Sequence, residues 1–108
     1  MRPATLFFRV AVTGPSMEPT FRSGDWLLVR QLRRMPRAGE LVVALDPREP
    51  ARLLLKRVRT VHGDEVTVVG DRADASTDSR DFGPLPGTAI VGRPVLRYAP
   101  LGRFGLVR

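Results

Sequence analysis

The chain has 108 residues, 43% hydrophobic and only 6% aromatic, which suits one domain over residues 1–108 with a single core filled by Val and Leu. Eighteen basic against eleven acidic side chains leave a formal charge of +7, a field that attracts phosphate backbones, anionic lipid headgroups or acidic proteins alike. The arginines are scattered rather than gathered in one run and aromatics are too few for a base-stacking platform, so no nucleic-acid partner is expected. The absence of cysteine excludes disulfides, thiolate metal sites and a thiol nucleophile.

Periodicity predicts short strands separated by Gly, Pro and Asp, with no helical-length window keeping an i, i+3, i+4 apolar stripe. The first strand spans residues 7–12. Its apolar run Leu6-Phe7-Phe8 is interrupted by Arg9 and resumes as Val10-Ala11-Val12, far short of the ~20 residues that cross a bilayer. No transmembrane anchor is expected; a soluble, cytoplasmic protein is, with contact at a membrane surface left open. The next segment, Thr13-Gly14-Pro15-Ser16-Met17-Glu18-Pro19-Thr20, reads as a rigid turn, because Gly14 permits unusual dihedrals while Pro15 and Pro19 fix theirs.

Strands follow at residues 26–31, 41–45, 52–61 and 65–69, the last two joined through Gly63-Asp64 as an antiparallel hairpin. His62 sits at its tip, with no second His or Cys to complete a common metal site, and is read as an ordinary turn residue. Residues 70–86 are polar and aperiodic, a loop long enough to be functional or disordered. A strand at residues 90–98 precedes an apolar, basic tail, residues 101–108, that packs as a strand or touches a partner. The fold class is all-β, mainly antiparallel.

A serine hydroxyl is a poor nucleophile until a neighbouring base removes its proton. Lys56 is the candidate base for Ser16. It is the only lysine among the eighteen basic residues, and arginine cannot deprotonate to act as a base. In Leu53-Leu54-Leu55-Lys56-Arg57-Val58, strand alternation puts Leu54, Lys56 and Val58 on one face. Burial there disfavours the ammonium, so a neutral amine can take the Ser16 proton. The bland alternative is a lysine at a sheet edge with its stem on apolar surface and its head in water. Asp71, Asp78, Arg80 and Arg57 form a third constellation, two carboxylates against two guanidiniums, able to lock the long loop to the sheet by bidentate pairing; a solvated turn with drifting charges is its alternative.

Together these segments resemble the signal peptidase I family of Ser/Lys endopeptidases. Ser16-Met17-Glu18-Pro19-Thr20-Phe21 is similar to that family's nucleophile box, Gly24-Asp25-Trp26 to the Gly-Asp strand after it, and Gly39-Glu40-Leu41-Val42-Val43 to its Gly-Asp-Val-Val box. Lys56-Arg57-Val58 matches the box carrying the general base, and Gly70-Asp71 with Ser76-Thr77-Asp78-Ser79-Arg80 the final box. The resemblance implies a small catalytic β-domain of the signal peptidase and LexA-like type with little helix. It implies Ser16 as nucleophile, Lys56 as general base, Ser76 as the hydroxyl orienting the amine, and Arg57–Asp71 and Asp78–Arg80 ion pairs. The Ser16 backbone N–H would serve the oxyanion. Gly14 stands where some members place a side-chain hydroxyl, so the second donor is open. Met17 and Pro19 would lie on the substrate side.

Such chemistry needs no cofactor and no metal. In the related repressors the dyad cuts an internal Ala-Gly bond of its own chain; self-cleavage is not expected here. The anchor and the long inserted β-domain of classical signal peptidases have no counterpart in this sequence. A narrower resemblance is to the nickel-type superoxide dismutase maturation proteases of bacteria, through Arg9-Val10-Ala11-Val12-Thr13-Gly14-Pro15-Ser16-Met17 and Arg97-Tyr98-Ala99-Pro100. It implies a protein or peptide precursor as partner, the nickel superoxide dismutase precursor, and a bacterial cytoplasmic location. The alternative is cleavage of secretory signal peptides at a membrane surface.

Overall fold

Runs of Val, Leu and Ile broken by Gly, Pro and Asp fold as eight strands in a computed structural model that describes residues 6–107 apart from the Pro50 side chain. They are β1 (Phe7–Ala11), β2 (Trp26–Gln31), β3 (Leu41–Asp46), β4 (Glu49–His62), β5 (Glu65–Val69), β6 (Leu85–Pro86), β7 (Ile90–Ala99) and β8 (Gly105–Leu106). One helical turn, α1 (Ser79–Phe82), lies between β5 and β6. The sheet runs β1-β2-β7-β3-β4-β5-β6, with β8 also paired to β7, and every pairing is antiparallel. The fold is all-β.

β3 organises the packing. Leu41, Val42, Val43 and Ala44 are all buried, so both faces of the strand are covered, as a continuous apolar run permits. Leu41 and Val43 join Val12, Met17, Phe21, Leu27 and Val29 on one side. Val42 and Ala44 join Val58, Val66, Val68, Leu85 and Ile90 on the other. The expected single core is therefore two apolar clusters, because the curled sheet encloses apolar side chains on each face of its middle strand.

β4 is longer than its sequence signal, starting before Pro50 rather than after it. Proline is tolerated where a strand edge has no ladder partner for its missing N–H, and β5 pairs with β4 only from Arg57 onward. The hairpin turn falls at Gly63-Asp64, as expected, with His62 exposed at the end of β4. The long loop is more ordered than its composition suggests. It contains a 3-10 turn at Ala73–Ala75 and α1, whose N-cap Asp78 accepts from the Arg80 N–H while the Asp81 side chain accepts from the Asp78 N–H. The tail returns as β8; its last residue, Arg108, lies outside the described residues.

Candidate active site

The Ser16 turn is fixed from inside. Gly14 takes φ 78°, a left-handed conformation that favours glycine. The Glu18 N–H donates to the Pro15 carbonyl at 3.0 Å and the Phe21 N–H to the Met17 carbonyl at 2.9 Å. Met17 and Phe21, at 1% and 2% exposure, root the turn in the core. From outside, the Arg72 N–H donates to the Ser16 carbonyl at 2.8 Å, tying the turn to the chain that follows β5.

On β4, alternation delivers the expected face: Leu54, Lys56 and Val58 are all buried. Lys56 is 4% exposed, and its Nζ donates to Ser76 Oγ at 2.9 Å. Ser76 in turn donates to Asp78 Oδ2 at 2.7 Å, so the hydroxyl proton points at the carboxylate and its lone pairs face the amine. Asp78 also accepts from the Gly70 N–H at 2.9 Å and from Arg80 Nε at 2.9 Å. Burial pushes the Lys56 amine below the usual lysine range; Asp78 opposes that, while Arg48, Arg80 and Arg52 add to it. For Asp78, burial favours the neutral acid, but Arg80, the Gly70 N–H and Ser76 override it and hold the carboxyl far below the usual range.

Gly70 sits where these parts converge. A Cβ built there would stand 2.2 Å from Ser76 Oγ and 2.7 Å from the Ser16 carbonyl oxygen. Only hydrogen leaves room for both. A second brace joins β4 to the far end of the Ser16 turn: Arg57 donates to Asp71 through Nε at 2.8 Å and Nη2 at 2.9 Å, and Thr20 donates to the same carboxylate at 2.5 Å. Arg57 first, then Thr20, lowers the Asp71 pKa against the cost of burial. Arg57 reaches on to the Gly39 carbonyl at 2.9 Å.

Ser16 and Lys56 line one cavity of about 260 Å³, bounded by residues 10–17 on one side and 52–56 on the other. Gly14 borders it as well. Met17 borders it while packing in the core with Val12 and Leu27, so its side chain is largely held by apolar packing under the turn. Pro19 is exposed and belongs to a separate hollow with Arg72 and Asp74. Thr20 and Gly70 were not singled out by side-chain chemistry, since each meets the site through a contact distant in sequence; Arg48 and Arg52 were not singled out either, and both line the cavity. The chain does carry one Ala-Gly pair, Ala38-Gly39. Its glycine N–H donates to the Val58 carbonyl at 2.8 Å, and neither residue lines the Ser16 cavity.

A sequence profile of the family described as "Signal peptidase, peptidase S26" matches residues 3–69 and 59–99. The chain is similar to mitochondrial inner membrane protease subunit 1 of Xenopus tropicalis, at 38% identity over 89% of this chain and 71% of the relative. It is similar to mitochondrial ATP-independent inner membrane protease subunit 1a of Arabidopsis thaliana, at 35% identity over 90% and 73%, and to the Homo sapiens subunit 1, at 32% over 92% and 74%. These relatives overturn the expected location in the bacterial cytoplasm, since each is named for the mitochondrial inner membrane. That expectation rested on the narrower family resemblance and on the lack of a long apolar run, and although no helix among the described residues is long and apolar enough to cross a membrane, a protease can also meet a membrane through its surface or a partner. Matches covering nearly the whole chain, over a sheet of the expected class, establish that it belongs to the signal peptidase family, peptidase S26, and is a serine endopeptidase.

Proposed function

We propose that this endopeptidase removes N-terminal extensions from precursor proteins at a membrane surface, in the manner of signal-peptide cleavage, with Ser16 as nucleophile and Lys56 as general base. One observation carries the assignment: the sole lysine is buried, with its amine anchored on Ser76, in the cavity that Ser16 also lines. The inner-membrane names of the relatives favour this substrate class over maturation of a nickel superoxide dismutase.

The groove suits an extended peptide. Among the described residues β1 pairs only with β2, and β4 has no partner from residue 52 to 56 on the edge that β5 takes up from Arg57. Both open edges border the cavity, and unpaired strand N–H and C=O groups bind an added strand readily. With the scissile carbonyl beside Ser16, the neutral Lys56 amine takes the hydroxyl proton as Oγ attacks, and the Ser16 N–H stabilises the developing oxyanion. The resulting ammonium returns the proton to the leaving amine, giving an acyl-enzyme. Water, deprotonated by Lys56, then releases the product. Ser76 holds the amine throughout, its own proton committed to Asp78.

Ser16→Ala and Lys56→Ala are each expected to abolish cleavage of a presequence-bearing precursor presented with liposomes while leaving the circular dichroism spectrum unchanged. A Lys56→Ala enzyme cutting at the wild-type rate would refute the dyad. Trimming of a nickel superoxide dismutase precursor, with the presequence substrate left intact, would replace the membrane-surface reading.

A further inference from the structure

The cavity beside Ser16 holds more positive charge than the proposed chemistry uses. Its lining includes Arg48, Arg52 and Lys56 and no carboxylate. Lys56 is engaged by Ser76. Arg48 is engaged too: its Nε donates to Asp46 Oδ1 at 3.0 Å, its Nη2 to Asp46 Oδ2 at 2.9 Å, and its guanidinium lies 5.5 Å from the Phe82 ring centroid. Asp46, 2% exposed, directs both oxygens to Arg48. Arg52 is different. It is exposed, and among the described residues its side chain has no ion pair or hydrogen-bond partner.

The position of Arg52 follows from strand geometry. It shares the face of Leu54 and Lys56 on β4, and four residues at ~3.3 Å each place it about 13 Å along the strand from Lys56. A peptide laid on the open edge presents every second side chain to that face. The long arginine stem shortens the gap further, so a substrate residue two or four positions from the scissile bond comes within reach. With Arg48 balanced by Asp46 and Lys56 neutral in the proposed mechanism, Arg52 is the cavity cation left to attract a ligand of opposite sign. A guanidinium fork matches a carboxylate in two-point geometry.

We propose that Arg52 is a specificity-determining residue, selecting substrates with Asp or Glu two or four residues from the cleaved bond on the Lys56 face. The inference rests on the reading that Ser16 cuts a peptide lying along β4. Electrostatics support it from the other direction, since Arg52 is near enough to Lys56 to favour the neutral amine.

The test uses quenched fluorescent peptides spanning the cut site of a processed precursor, with Glu, Gln or Lys at the second and fourth residues on each side. They are assayed with wild-type enzyme, Arg52→Gln, Arg52→Glu and Ser16→Ala. Glu at one of these positions is expected to raise wild-type kcat/KM about three- to fivefold over Gln, the size of a well-placed exposed ion pair, mainly through KM. The Glu-to-Gln ratio should fall to near one in Arg52→Gln, and Lys should be preferred by Arg52→Glu. Equal wild-type rates on Glu and Gln peptides, with Ser16→Ala inactive, overturn the role of Arg52 and leave the nucleophile standing. A Glu preference that persists in Arg52→Glu overturns it as well. Cleavage that survives Ser16→Ala, or a wild-type enzyme that cuts no precursor, overturns the underlying reading and the inference with it.

Discussion

Replacing Gly70 by alanine tests whether the catalytic parts depend on close approach at one backbone position. The new Cβ would stand 2.2 Å from Ser76 Oγ and 2.5 Å from Ser76 Cβ. Ordinary contact begins near 3.4 Å, so Ser76 must retreat by about 1.2 Å. The hydrogen bond it accepts from Lys56, now 2.9 Å, then lengthens past useful range. Overpacking of this kind costs about 1–3 kcal/mol of stability, and misplacing a base by ~1 Å costs up to ~100-fold in rate. Gly70→Ala should therefore lower kcat by about 10- to 100-fold at 25 °C, measured on a fluorogenic precursor peptide, with a lower melting temperature by calorimetry. The double variant Gly70→Ala, Ser76→Gly removes both Ser76 atoms nearest the new methyl group and should regain part of the stability and none of the activity. Wild-type kcat in Gly70→Ala would show that Ser76 need not stand where it does, and would remove it from the mechanism.

Other outcomes follow from the same contacts. Because burial lowers the Lys56 pKa and the base must be unprotonated, kcat/KM should rise with pH through an apparent pKa below the ordinary lysine value of 10.5; Arg80→Met, which leaves Asp78 uncompensated, should move that limb to higher pH. Met17→Ala should destabilise the protein by about 2–5 kcal/mol, read by urea melts, because the side chain fills the core. Glu40 is held at about 2, against 4.5 when free, chiefly by Arg34; its stabilising contribution is complete above pH 4.5 and lost as pH falls toward 2. Melting temperatures should fall across that window, and less steeply in Glu40→Gln.

Strands were legible where burial alternates and the ends carry breakers. The bounds of β2 and β5 follow from such signals, and the buried face of Lys56 follows from period two alone. In the loop after β5 the Arg57–Asp71 and Asp78–Arg80 pairs were legible from charge, but the Gly70 contact of Asp78 and the helical turn α1 were not. Its capping box closes on Asp81 rather than the customary Glu or Gln, so the local signature is weak. The burial of Met17 was not legible either: between Pro15 and Pro19 it has no periodicity to report it, and only the fold shows that the turn tucks it into the core. The two-sided burial of β3 depends on how the whole sheet curls, which no local pattern encodes. The proposed membrane-surface substrate was equally illegible, since a +7 charge suits any anionic partner.

Asp78 acts in two opposed directions, and the geometry shows how they are reconciled. As a charge it favours the ammonium form of Lys56, which would leave the base protonated at neutral pH. As an acceptor it fixes Ser76, which fixes Lys56. Arg80 separates the two effects: by donating to both carboxylate oxygens it offsets the field of Asp78 while leaving the Ser76 contact in place. On the proposed mechanism the carboxylate serves as a positioning device, with its effect on Lys56 opposed by burial and by Arg48, Arg80 and Arg52. An alkaline shift in Arg80→Met should therefore come with recovery of most of the rate at high pH, whereas a uniform loss at every pH would mean that Arg80 supports the loop alone and that the charge on Asp78 is immaterial to Lys56.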